Sequence, residues 1–97
     1  MSVHGEYARA LDGLIEALAA STRPDRAGWI EALEAARATQ TRDLSTAARA
    51  AGTILDRLEA DLDGGAPKRA DDPNVRDACH HLRAHCHAIL GPVAGRR

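Results

Sequence analysis

The sequence predicts an all-α protein, an antiparallel up-and-down bundle of four helices, on two observations. Apolar residues recur three or four positions apart along successive stretches, the spacing that lines one face of a helix. The borders of those stretches carry turn and cap residues: Pro24, Gly64-Gly65-Ala66-Pro67, Asp72-Pro73 and Gly91-Pro92. No stretch requires a strand.

The first helix is expected to begin near Ser2, a suitable N-cap, and to place Val3, Tyr7, Leu11, Leu14 and Leu18 on one face before stopping near Ala20. Thr22 followed three residues later by Asp25 reads as a capping signal for the second helix, with Pro24 tolerated in its first turn. Trp29, Ile30, Leu33 and Ala36 then form an apolar face, and Leu44, Ala48, Ala51, Leu55, Leu58 and Leu62 carry a similar stripe onward. Between them lies Thr39-Gln40-Thr41-Arg42-Asp43, polar but free of glycine and proline. One reading runs a single helix of about 40 residues from Pro24 to Asp63, ~60 Å long, which gives three helices with one long central helix. The other breaks the chain around Thr41 to Asp43 with Asp43 as a new cap, and the matched helix lengths that result favour it, as an up-and-down bundle requires.

Residues 64–72 form a turn-rich segment expected to be a flexible linker. The last helix is the best signalled. Asp72 is an N-cap with Pro73 at the first position, Gly91-Pro92 supplies the stop, and the inner stripe is Val75, Cys79, Leu82, Cys86, Ile89 and Val93.

Ninety-seven residues fit one helical-bundle domain. With 13 basic against 14 acidic residues, no overall field draws the chain to nucleic acid or an anionic membrane. No run of ~20 apolar residues is present and no basic segment precedes an apolar core at the N-terminus, so a cytoplasmic protein with reduced cysteines is expected. Lys68 is the single lysine and 21 residues are alanine, a skew associated with high-GC bacterial genomes. Only 20 side chains are large and apolar, and none is phenylalanine. Such a core sits close to the conformational entropy it must offset, so a homodimer that shares burial is expected.

Cys79-His80-His81-Leu82-Arg83-Ala84-His85-Cys86-His87 is the one segment whose composition suggests chemistry, with six ligand-type side chains in nine residues. Helical side chains share an ion only at three or four positions' separation. Neither cysteine has a histidine at that offset, and their seven-residue separation, about 10.5 Å along a helix, exceeds the ~7 Å reach of a disulfide. The cysteines are therefore expected as core residues first. His81 and His85 do satisfy the spacing, and a zinc or other divalent-metal site using Cys79, His81, His85 and Cys86 would need further ligands from another helix or subunit. Haemerythrin-like iron proteins are similar in being bundles with histidines on helices. Their ligands are spread over several helices, whereas here all but His4 crowd onto one, so the resemblance implies no site.

Residues 44–58 resemble a DNA-binding helix-turn-helix, with Ala48, a turn glycine at Gly52 and Leu58 closing the apolar set. Its second helix would present Asp56, Glu59, Asp61 and Asp63 against Arg57, a charge sign that opposes DNA. No phosphate loop, zinc-spaced cysteine pair or catalytic constellation is evident, so no enzymatic activity is expected. The leading expectation is an interaction or structural module, a homodimer that binds its partner, itself or another protein, through a helical face. The alternatives are a metal-binding or metal-sensing bundle and a DNA-binding protein.

Overall fold

A computed structural model describes residues 3–39, 42–64 and 72–91, with the backbone alone at residues 3 and 4. It contains four helices, α1 (Val3–Ala20), α2 (Arg26–Thr39), α3 (Leu44–Gly64) and α4 (Asp72–Leu90), and no strand among the described residues. They close a ring in which α1 packs against α2 and α4, and α3 against α2 and α4. This is the antiparallel up-and-down bundle, with a radius of gyration of 12.9 Å, matching the ~13 Å of a compact chain this long.

The predicted stripes form the inner faces of the helices, with Trp29, Ile30, Leu44 and Ile89 only partly buried at their margins. The expected cap Ser2 and the side chain of Val3 lie outside the described residues. Tyr7, Leu11, Leu14 and Leu18 of α1 are fully buried, as are Leu33 of α2, Leu55 and Leu58 of α3, and Val75, Cys79 and Leu82 of α4. Ala47, Ala48 and Ala51 fill the α3 face near its start, where small side chains let neighbouring helices approach. The Tyr7 hydroxyl crosses the core to donate to the Ala47 carbonyl at 3.2 Å, which satisfies an otherwise buried polar group. Val93, the last stripe residue expected in α4, lies outside the described residues, as does most of the 64–72 linker.

The ends of the helices decide the helix count. Asp43 Oδ1 accepts from the Ser45 and Thr46 amides at 3.1 and 3.4 Å, Oδ2 accepts from the Thr46 hydroxyl at 2.7 Å, and the Asp43 carbonyl accepts from the Ala47 amide at 3.0 Å. That is a complete N-cap, so the chain breaks between α2 and α3 and the long central helix does not form. At the start of α2 the cap differs from expectation. The Asp25 carbonyl accepts the first helical bond, from the Trp29 amide at 3.4 Å, so Asp25 rather than Thr22 occupies the cap and Pro24 lies in the turn before the helix. The Asp25 carboxylate instead accepts from Trp29 Nε1 at 3.0 Å and from Arg23. At the far end, Gly91 takes φ +86° and donates to the His87 carbonyl at 2.8 Å, the left-handed stop that glycine adopts without a Cβ clash.

Candidate interaction groove and its surroundings

The helical angle between successive positions of α4 separates the cysteines from the histidines. Cys79 and Cys86 point into the core, 0% and 3% exposed, and both are free thiols. Burial, followed by the charge of Glu59, pushes the Cys79 thiol up to about 12 against the opposing pull of Arg83 and Arg76. Burial likewise pushes Cys86 up to about 11. Both are held as neutral thiols, the inert form. His81 and His85 stand on a different face, toward α1, with His81 exposed and His85 half-buried. The structure thus brings His81 and His85 together and sets Cys79 and Cys86 apart from them. Among the described residues no group of three or more His, Cys, Asp or Glu side chains is placed to hold a metal ion.

Between α1 and α4, on the histidine side, runs an open groove of about 510 Å³. Its floor is made of Ala10, Gly13 and Ala17 from α1 and Ala78 from α4, and its rim carries Glu6 and Arg9 facing Asp77, His81 and His85. The spacing of Ala10, Gly13 and Ala17 puts all three on one face of α1, beside the leucine stripe and not within it. A Cβ placed on Gly13 would meet nothing within 4 Å, so the space above this glycine is open rather than filled by the chain's own side chains. Asp77 Oδ2 lies 4.0 Å from His81 Nδ1, one turn away on the same face.

A second, smaller groove of about 320 Å³ lies between α3 and α4, with Ala48, Gly52 and Cys86 at its base. Gly52 sits inside the unbroken helix α3, which runs from Leu44 to Gly64. The turn that the helix-turn-helix resemblance would place at Gly52 does not form, because the helical backbone continues through that glycine. The acids expected on its second helix serve the bundle instead: Arg83 of α4 donates to Asp56 at 2.9 Å and Glu59 at 2.6 Å.

The polar centre that sequence reasoning missed is Arg23. It lies in the turn between α1 and α2, only 2% exposed, and its guanidinium donates to Asp25 at 3.2 Å, to Asp72 at 3.3 Å and to Asp61. Burial opposes its charge, but the hydrogen bond to Asp25 and the three carboxylates outweigh that and raise its pKa. Asp25 is held below the usual carboxylate range because the bonds from Trp29 and Arg23 outweigh its own desolvation. One side chain thus ties the α1–α2 turn to the end of α3 and the start of α4. Its only sequence signal was the Asp72 cap, read for its backbone role alone.

Among the described residues no helix is long and apolar enough to cross a membrane. A scan against protein-family models found no match, and neither a search of curated proteins nor one of solved structures returned a similar protein.

Proposed function

We propose that this chain is a protein-interaction module that works as a homodimer, docking a second copy along the α1/α4 face. The observation that carries the reading is the groove itself, floored by Ala10, Gly13, Ala17 and Ala78 and open above Gly13. Small residues in a row let a helix backbone approach closely, and the mixed rim of Glu6, Arg9 and Asp77 offers each sign of charge to an identical copy. A stable interface takes roughly 800 Å² from each partner. That is about a seventh of the 5689 Å² the chain exposes.

The centres of the four apolar stripes are buried within one chain, so the thin core is not what calls for a partner. The groove is. Light scattering at micromolar concentration, in metal-supplemented and in chelator-containing buffer, tests the reading. A dimer in either buffer that is lost on Gly13→Leu supports it. A monomer in both, or a dimer indifferent to Gly13→Leu, contradicts it.

A further inference from the structure

The geometry points to a divalent-metal site of the zinc type, built from His81 and His85 of two copies and bridging the α1/α4 faces. This inference rests on the homodimer reading and adds the ligand that joins the copies. His81 and His85 are one helical turn apart on α4, the separation at which two imidazoles reach one ion, and both line the groove. Asp77, a further turn back, places a carboxylate oxygen 4.0 Å from His81 Nδ1 on the same exposed face.

Within one chain the pair is incomplete. Zinc takes four ligands in a closed tetrahedral site, and among the described residues of one chain no group of three or more His, Cys, Asp or Glu side chains is placed to hold the ion. Cys79 and Cys86 are closed off in the core on another face. A two-fold axis across the groove supplies the same pair again, and two pairs from two helices make a four-imidazole set. The open floor above Gly13 is what lets the second α4 come near enough. Coordination fills the shell, while the apolar floor excludes water from it.

The experiment uses the full chain produced without a histidine tag. Zinc binding is followed by calorimetry, and mass in solution by light scattering, with added zinc and with chelator. The expected result is one zinc per two chains, a dimer in zinc and a monomer in chelator. His81→Ala and His85→Ala should each abolish the zinc-dependent dimer and weaken zinc binding at least tenfold, while His80→Ala/His87→Ala, which alters the two exposed histidines off this face, should change neither. A dimer that persists unchanged in chelator overturns the metal site and leaves the homodimer reading standing. A monomer in both buffers overturns both. Zinc bound by the monomer, or a zinc-dependent dimer indifferent to His81→Ala and His85→Ala, overturns the shared site.

Discussion

Arg23 carries more of the tertiary structure than any other polar side chain described. Removing it would leave Asp72, itself 7% exposed, and the half-buried Asp61 without their shared cation. Breaking a buried pair from one side costs about 3–5 kcal/mol, and the solvent reaching Asp25 and Asp61 reduces this, so Arg23→Met should destabilise by about 2–4 kcal/mol in denaturant unfolding. No pattern in the sequence identified it. An arginine between a threonine and a proline in a polar turn has no periodicity to betray burial, and two of its three carboxylate partners are 38 and 49 residues away. The cysteines were legible for the opposite reason. They occupy stripe positions, and the structure buries them there.

The same buried groups set the pH range of stability. Cys79, Cys86 and Tyr7 are pushed up to about 12, 11 and 12, in each case chiefly by burial. A folded-state pKa above the unfolded one means that the stabilisation is complete below the unfolded value and is lost as pH rises toward the folded value. Thermal unfolding temperature should therefore fall above about pH 9, and Cys79→Val should make that alkaline decline shallower. Asp25 is depressed, so its contribution is present above the ordinary carboxylate range and is lost on acidification. Stability should decline below about pH 4, and Arg23→Met should blunt the decline.

Among the elements, the helix boundaries show how far local chemistry reads through. Apolar spacing located the helical stretches, because each has an inner face to match. Whether α2 and α3 were one helix could not be settled by periodicity, since apolar faces flank the segment at 39–43 on both sides and that segment carries no glycine or proline to end a helix. The Asp43 cap settles it, and Asp43→Ala should lower the denaturant midpoint while leaving the helix content by circular dichroism nearly unchanged. Thr22 was misread as a cap because the spacing to Asp25 fits a capping signal. Asp25 itself takes the position, and its carboxylate is drawn to Arg23 and Trp29. Gly52 is a cost rather than a turn. A Cβ there meets nothing within 4 Å, so Gly52→Ala should stabilise by about 0.5–1 kcal/mol, measured by the shift of the denaturant midpoint.

At the scale of the whole molecule, composition raised the expectation of a partner from the thinness of the core, and the structure shows how one chain builds that core. Twenty large apolar side chains looked too few for one chain, yet alanines 47, 48 and 51 and the two cysteines complete a closed core around the leucines. The larger of the two grooves, between α1 and α4, could not be read from sequence, because it is floored by small side chains from two helices far apart in the chain that only the fold brings together. The helix that was chemically suggestive and the helix with the small-residue face turn out to be neighbours. Interaction through that groove is the central claim. Light scattering of the untagged chain beside its Gly13→Leu variant, each with zinc and with chelator, tests it most directly: wild type is predicted to reach dimer mass in zinc while the variant stays a folded monomer, and equal masses for the two proteins in both buffers would contradict the account.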